Sequence, residues 1–300
     1  CRSLHDNPRN VWDAELKAPT LYVAQSASPW AYGLYARALK AAGGRLAALP
    51  GGELTLETLG RTELRGPGGT LPVTAHGIGG IGLDRNTVFL EDSGRLAAFA
   101  TPEFLMVRKG FEAEDVRIRG LVAGWDVDRL RGYQKAFARR APGTLRIRNA
   151  RVFDPEGLGL GPPSDVLVKG NRIVAVEPTG NAPAKGETIV DGKGGALLPG
   201  LADMHGHLGQ NEALMNLLAG VTTVRDMANN DAVLDKLVER MDSGELAGPR
   251  VVRSAFIEGK SPTSARYGTV VDSEPAALQA VRDGARRGVF QIKIYSSINP

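Results

Sequence analysis

The sequence is poor in cysteine and in aromatic residues, and it has no long apolar run. Its single cysteine is residue 1, so no disulfide can form within the chain. Aromatic residues make up 6% of the 300 residues, so the core must consist mainly of Val, Leu, Ile and Ala. No stretch approaches the roughly 18 apolar residues that a membrane-spanning helix needs. The sequence therefore predicts a globular chain with an aliphatic core.

Dense basic runs and phosphate-binding loops are also missing. The 37 Lys and Arg residues nearly balance the 33 Asp and Glu residues. No basic run is dense enough to bind nucleic acid, so no nucleic-acid partner is expected. No glycine-rich phosphate loop follows a predicted strand, which argues against a dinucleotide-binding domain. With 42% apolar residues the chain is too hydrophobic to be wholly disordered, and its length suffices for about two domains.

The N-terminus predicts a lipid anchor. A mature chain that begins with its only cysteine resembles a bacterial lipoprotein, in which the first cysteine carries the lipid. Residues 1–10 would then be a polar tether, and the protein would be periplasmic or lie at the cell surface. It would contact the membrane only through the lipid on Cys1. An arbitrary boundary within a longer chain explains the same start, and a cytoplasmic location stays open.

Residues 11–142 predict a separate β-rich module. Their short alternating runs, separated by Gly-rich breaks, are typical of antiparallel strands. One helix is predicted over residues 29–42, where two glycines end it, and a second over residues 127–140. His76 lies in this module without cysteines or a carboxylate cluster beside it, which favours a hydrogen-bonded structural histidine.

The pattern changes twice after this module. Residues 143–198 form short β runs, with a hairpin turn predicted at residues 169–172. Residues 199–300 alternate apolar strands with helices. This alternation predicts a parallel sheet with helices packed outside it, and hence an α/β fold.

Cap residues and apolar spacing define the later helices of this part. Asn230 is expected to cap one helix, and Ser273 another. In the helix after Ser273, Leu278 and Val281 are expected to face the core.

A pair of histidines ends the first strand of the α/β part. Asp203, His205 and His207 share one face of that strand, because strand side chains alternate with period two. Two imidazoles so spaced can bind one cation from the same side, and imidazole is a frequent Zn²⁺ ligand. A bare H-x-H pair is a weak signal, but catalytic groups of (β/α)₈ barrels lie at the C-terminal ends of strands. The position therefore favours a metal site.

Lys293 is the second unusual residue, because it lies between Ile292 and Ile294 in the last strand. In a sheet covered on both sides, this ammonium group would be desolvated and would lose its proton readily. A neutral amine can react with carbon dioxide to give a carbamate, whose two oxygens can bridge two metal ions. A lysine paired with a carboxylate at the strand end is the alternative interpretation.

Three segments in this order, PGLADMHGH, GVTTVRDMA and QIKIYSSINP, resemble the amidohydrolase superfamily of metal-dependent hydrolases. Within it they are most similar to the imidazolonepropionase-like branch. The resemblance covers roughly residues 144–300. It implies a (β/α)₈ TIM-type barrel, whose first four βα units lie in residues 199–300. It also implies that residues 143–198 begin a small β-sandwich.

The resemblance also implies a two-metal centre. His205 and His207 would bind one metal ion, and carboxylated Lys293 would bridge it to a second. The ions would be divalent, with Zn expected and Mn, Fe or Ni as alternatives. The family takes two further histidines and an aspartate general base from later strands, and no histidine follows His207. The chain is therefore expected to be the N-terminal part of the barrel, with the C-terminal remainder as its partner. A homo-oligomer stays open.

Other polar residues are weaker candidates for contacts with the substrate. Arg225 and Asp226 end the second strand, where a structural salt bridge explains them as well as a substrate contact does. Tyr295 shares a face with Lys293 and could donate to a substrate carbonyl. The polar loop over residues 257–268 follows the third strand, where substrate loops occur, although an ordinary solvated loop is the alternative. Its candidate contacts are Lys260, Arg266 and Tyr267.

These observations predict an enzyme. The expected reaction is hydrolysis of an amide, cyclic amide or other C–N bond by metal-activated hydroxide, on a small-molecule or peptide-like substrate. The alternative is a catalytically inactive amidohydrolase-like protein that acts as a binding or scaffold protein of the cell envelope. A third hypothesis is that the module of residues 11–142 binds an envelope partner and carries the barrel as cargo.

Overall fold

A computed structural model describes most of the chain, namely residues 2–3, 12–13, 15–23, 28–82, 84–265 and 267–298. Two positions singled out by the sequence, Cys1 and Arg266, lie outside the described residues. No helix in the described ranges is both long and apolar enough to cross a membrane.

The N-terminal module is built mainly from antiparallel strands. Its elements are β1 (Arg2–Ser3), β2 (Trp12–Asp13), β3 (Thr20–Tyr22), α1 (Pro29–Ala41), β4 (Arg45–Leu49), β5 (Glu53–Gly66), β6 (Gly69–Gly79), β7 (Asn86–Leu90), β8 (Leu96–Ala100), β9 (Leu105–Val107) and α2 (Asp115–Phe137). Strands β3 to β9 form one sheet in sequence order, and β1 pairs with β2. Among the described strands of that sheet, β3 and β4 pair in parallel and the other neighbours pair antiparallel. The predicted first helix is confirmed as α1.

Helix α2 begins well before the predicted start at residue 127. Gly120 and Gly124 lower the helix propensity of its first half, which is why the sequence pattern missed it. Tertiary packing overrides that weakness, because Ile118 and Val122 are buried in a cluster beneath the sheet. His76 is buried as well, and its Nδ1 lies 3.2 Å from Thr58 Oγ1.

The middle segment forms a second sheet. Its strands are β10 (Thr144–Asp154), β11 (Gly159–Lys169), β12 (Arg172–Pro178), β13 (Thr188–Asp191) and β14 (Ala196–Leu197). Strands β11 and β12 pair antiparallel with Lys169 opposite Arg172, which confirms the predicted hairpin turn. Arg146 is buried on β10 and donates to Asp165, Glu177 and Glu187, so carboxylates from three parts of the segment meet at one guanidinium.

The C-terminal part alternates strands and helices, as predicted. Its elements are β15 (Leu201–Gly206), α3 (Glu212–Leu218), β16 (Val221–Asp226), α4 (Asp231–Asp242), β17 (Arg250–Val252), β18 (Ser254–Gly259), β19 (Thr269–Val271), α5 (Glu274–Arg286) and β20 (Gln291–Ile294). Every strand pair within it is parallel. The α/β class is therefore confirmed.

One expected strand is broken into two. Arg253 separates β17 from β18, so that β17 pairs with β16 while β18 pairs with β20. The short strand β19, which the sequence pattern did not indicate, pairs with β18 on its other side. The break divides the parallel strands into two sheets of three.

The later helices confirm one cap and correct two expectations. Asn230 caps α4 and accepts a hydrogen bond from the Val233 backbone N–H. Ser273 precedes α5, but its side chain makes no capping hydrogen bond. Leu278 and Val281 are exposed, and the expectation that they face the core is wrong. Small residues allow α5 to lie close to the sheet instead, and the buried residues of that helix are Ala280 and Gly284.

Helix α2 joins the N-terminal module to the α/β part. Its residues Val127 and Leu130 are buried in the same apolar cluster as Leu208, Val224 and Leu234. Polar contacts flank this cluster, and Gln210 donates from its side chain to a backbone carbonyl of α2 at 2.8 Å. The module is therefore packed onto the α/β part through a shared core.

Candidate metal and substrate site

The two predicted metal ligands lie together at the C-terminal end of β15. His205 is near the end of the strand and His207 follows it, and both side chains are exposed. Their ring centroids are 5.5 Å apart. Two imidazoles bound to one tetrahedral zinc ion at about 2.0–2.1 Å would have centroids about 5 Å apart. The donor chemistry and the spacing of the pair thus fit one shared cation.

A hydrogen bond fixes the orientation of His207. Its Nδ1 donates to the carbonyl oxygen of Ala228 at 2.8 Å. Because that bond holds the proton on Nδ1, the lone pair of Nε2 is free to bind a metal ion. Beyond this pair, the described ranges hold no group of three or more His, Cys, Asp or Glu residues that could bind a metal.

Asp226 ends β16 beside this histidine and is 1% exposed. Its Oδ2 accepts hydrogen bonds from the Leu208 backbone N–H at 2.7 Å and from Asn229 Nδ2 at 2.9 Å. Burial raises the pKa of this carboxyl group, while the hydrogen bonds from Asn229 and Leu208 and the nearby His207 oppose that shift. The carboxylate therefore connects the loops that follow two adjacent strands.

A cavity of about 590 Å³ opens beside His207. One wall comes from loops that follow β15, β16 and β18. The opposite wall comes from the N-terminal module, namely the loop before β7, the loop before β9 and the start of α2. The lining residues of most chemical interest are Asp84, Glu103, Arg119, His207, Glu212 and Tyr267. The volume lies within the range of about 300–1,000 Å³ that is usual for small-molecule sites.

Carboxylates from both walls meet in this cavity. An ideal Cβ on Gly209 would lie 3.3 Å from Glu212 Oε2 and 3.8 Å from Glu103 Oε1. Asp84 lines the same cavity, and no ion pair to any of these three carboxylates occurs among the described residues. Desolvation, together with repulsion from neighbouring carboxylates, raises the pKa of Asp84 and of Glu103. The cavity thus brings together three carboxyl groups that have no ion-pair partner among the described residues.

Lys293 is half-buried, so the expected full desolvation of its amine is wrong for the described chain. The reason is that β20 has only β18 as a neighbour among the described strands, which leaves its other edge open. Lys293 Nζ lies 5.8 Å from the ring centroid of Tyr295, and that ring packs against Phe256. Neither Lys293 nor Tyr295 lines the cavity.

The remaining candidate residues are dispersed. Arg225 donates from Nε to the Met204 carbonyl oxygen at 2.9 Å. Neighbouring residues of a strand face opposite sides, and the described chain contains no ion pair between Arg225 and Asp226. The interpretation of these two residues as a structural salt bridge is therefore wrong. Lys260 is exposed, and its Nζ lies 3.5 Å from Asp272 Oδ2. Of the loop candidates that the structure describes, only Tyr267 lines the cavity.

Sequence reasoning missed the contribution of the N-terminal module to this site. Asp84 and Glu103 belong to no motif and lie more than 100 positions before His207. They reach the cavity because α2 packs onto the α/β part, and no local pattern encodes that packing. The one sequence signal that pointed to this site was Asp226. Its carboxylate lies at the C-terminal end of a parallel strand, and ligand sites of parallel sheets form at that edge.

Comparisons with known proteins agree with the three motifs. No family model matches the chain. The chain is 30% identical to an adenine deaminase of Chelativorans sp. (strain BNC1) over 159 residues, which is 46% of this chain and 26% of that protein. It is 38% identical to a dihydroorotase of Streptococcus thermophilus over 103 residues, which is 31% of this chain and 24% of that protein. The chain thus spans about a quarter of the length of the curated relatives it matches.

The chain also matches two solved structures over part of its length. A bottromycin amidohydrolase matches with 21% identity and a TM-score of 0.44, over 60% of this chain and 37% of that one. A Xaa-Pro dipeptidase with bound methionine matches with 23% identity and a TM-score of 0.44, over 51% of this chain and 47% of that one.

Proposed function

This chain is a relative of the amidohydrolase superfamily, and from that premise we propose that it is part of a metal-dependent hydrolase. The reaction would be hydrolysis of an amide, cyclic amide or other C–N bond in a small-molecule or peptide-like substrate. The observation that carries the proposal is the histidine pair, whose ring centroids are 5.5 Å apart at the C-terminal end of a parallel strand.

The residues of this chain would divide the work of metal binding. His205 and His207 would hold one divalent ion, with Nε2 of His207 as its donor because Nδ1 is engaged with Ala228. Lys293 would carry the carbamate that joins a second ion, once a neighbouring strand covers the open edge of β20. Divalent ions at such a centre polarise a carbonyl group and lower the pKa of bound water. Zn is the expected metal, and Mn, Fe or Ni would suit the same donors.

The substrate would occupy the cavity beside His207. That volume has one wall from the loops after the parallel strands and one from the N-terminal module. Tyr267 would contact the substrate there. Arg225, Lys260 and Arg266 remain weaker proposals, because the first two make other contacts and the third lies outside the described residues.

The C-terminal remainder of the barrel is proposed as a partner of this chain. Support comes from large apolar side chains on strands and adjoining turns that are more than half exposed, among them Ile173, Val174, Leu201, Met204, Phe290 and Ile294. Exposed apolar side chains that form a contiguous patch usually mark an interaction site. A second copy of the chain is the competing occupant, and lipid attachment through Cys1 at the cell surface stays a separate proposal.

The first experiment measures, by elemental mass spectrometry, the metal content of the natively purified protein with the proposed C-terminal remainder of the barrel present. We expect about two transition-metal ions per chain, and H205N/H207N should lose at least one of them. H76N is the matched control, because that histidine lies in the N-terminal module and should leave the content unchanged. A wild-type content near zero, persisting after zinc or manganese is offered, would overturn the enzyme hypothesis and favour a binding or scaffold protein.

A further inference from the structure

A network of hydrogen bonds ties the loop after β15 to the loop after β16, and we call it the strand-end network. Its side-chain members are His207, Asp226 and Asn229, and its backbone members are Leu208 and Ala228. Asn229 Nδ2 donates to the Leu208 carbonyl oxygen at 3.0 Å and to Asp226 Oδ2 at 2.9 Å. The Leu208 N–H donates to that same Oδ2 at 2.7 Å. Both loops are thus fixed by one carboxylate oxygen.

We propose that Asp226 is a positioning residue for His207, which it holds through the strand-end network with Nε2 directed away from the network. This rests on the proposed function, in which His207 is a metal ligand. Asp226 does not touch the cavity itself, since it is not among the residues that line it. It acts on the histidine through the backbone of Leu208 and Ala228.

The energetics of Asp226 argue against a purely stabilising role. Its side chain is 1% exposed, and it forms no ion pair with a cation in the described chain. A buried carboxylate without a cationic partner is costly, and one oxygen, Oδ1, also lacks a hydrogen-bond partner. An apolar residue would fill this space at lower electrostatic cost. What the side chain adds is an acceptor oxygen that holds the Leu208 N–H and Asn229 together.

The geometry connects this acceptor to the histidine ring. Leu208 follows His207 directly, so the bond from its N–H to Asp226 limits rotation of the His207 backbone. Ala228, which accepts from His207 Nδ1, lies between the two network residues Asp226 and Asn229. Ser254 Oγ, at the start of β18, donates to the Asp226 carbonyl oxygen at 2.5 Å and fixes the beginning of the loop after β16. Partners of this kind set the tautomer of a metal-binding histidine.

The test uses two variants of the full chain and two readouts. D226A removes the acceptor, whereas D226N keeps one carbonyl oxygen that can still accept from Leu208. Long-range ¹⁵N NMR of the histidine rings in the metal-free protein reports the tautomer of His207. Calorimetric titration with Zn²⁺ alone reports metal affinity. The matched control is D165N, another buried aspartate, which holds Arg146 in the middle segment.

We expect D226A to give a mixture of His207 tautomers and to weaken Zn²⁺ binding by about tenfold or more, as loss of an outer partner does at other metal sites. D226N should stay close to wild type in both readouts. D165N should lower thermal stability without moving either readout. An unchanged His207 spectrum in folded D226A would overturn the proposal. If D226A does not fold, N229A removes another member of the strand-end network, and an unchanged His207 spectrum in that variant would overturn the proposal instead.

The two proposals fail in different ways. One outcome is that the wild type binds no Zn²⁺ but shows a single His207 tautomer, while D226A shows a mixture of tautomers. The hydrolase proposal then fails and the positioning role stands. The other outcome is that Zn²⁺ binds equally well to wild type and D226A and that the His207 ring signals of the two proteins are the same. The positioning role then fails and the metal site stands.

Discussion

Ionised Glu103 meets the carboxylates of Asp84 and Glu212 in the cavity, and the surrounding protein desolvates it. Both effects raise its pKa in the folded chain. The stability that Glu103 contributes is therefore present below its unfolded pKa and is lost as the pH rises through the folded value. The opposite case is Glu112 of the same module, whose carboxylate accepts from the Gly110 N–H, which lowers its pKa.

The opposite pKa shifts of Glu103 and Glu112 give a prediction for thermal unfolding. At pH 7, E103Q should raise the melting temperature. The gain in free energy of unfolding should be less than about 1 kcal/mol, because the side chain is open to the cavity. E112Q should lower the melting temperature at that pH. Both differences from wild type should shrink on acidification. The E103Q difference shrinks as the pH falls through the raised folded pKa of Glu103, and the E112Q difference shrinks only at lower pH, because the folded pKa of Glu112 lies below its ordinary value. Scanning calorimetry of the three proteins from neutral pH into the acid range measures this, and shifts of the same sign for both variants at pH 7 would contradict it.

At the scale of single elements, regular patterns were predictable and packing was not. Helix α1, the β11–β12 hairpin and the Asn230 cap follow from glycine positions, alternation and cap chemistry. The exposure of Leu278 does not, since the face that a helix buries depends on what lies opposite it. Here the small residues Ala280 and Gly284 approach the sheet instead.

Glycines in helices give a prediction at this scale. A Cβ added to Gly124 in α2 would meet nothing within 4 Å, whereas one added to Gly284 in α5 would lie 2.9 Å from the Ala255 Cβ. G124A should therefore stabilise the fold by about 0.5–1 kcal/mol, because alanine loses less backbone entropy in a helix. G284A should destabilise it through the clash. Urea unfolding of both variants against wild type tests this, and a destabilising G124A would mean that α2 is not helical at that residue.

The same distinction holds for the candidate site. The position of His205 and His207 at a strand end was predictable, since period-two alternation and strand–helix order determine it. The half-burial of Lys293 was not, because it depends on which strands flank β20. Asp84 and Glu103 could not be found from local sequence, because a contact between distant segments places them in the cavity.

At the scale of the whole molecule, one apolar cluster spans the N-terminal module and the α/β part. Leu130 of α2 is 4% exposed in that cluster. This packing disfavours the hypothesis that the module carries the barrel as separable cargo, and it predicts that the two parts unfold together.

Substitutions on α2 test this shared core. L130A should lower the free energy of unfolding by about 2–5 kcal/mol, as is usual for a buried leucine. V116A, on the same helix at a 76% exposed position, should change it by less than about 0.5 kcal/mol. Hydrogen exchange should report faster opening in both β8 and β16 of L130A. Faster exchange confined to the N-terminal module would indicate two independent folding units.

Because α2 contributes to two cores, its helical phase sets the relative orientation of the two parts. Ile118 and Val122 pack beneath the N-terminal sheet, while Val127 and Leu130 pack against the α/β part. One residue inserted between these pairs would turn one part against the other by about 100° and separate them by about 1.5 Å. Insertions and deletions that alter this phase would misalign the walls of the cavity, so the length of this short stretch is constrained more tightly than its composition.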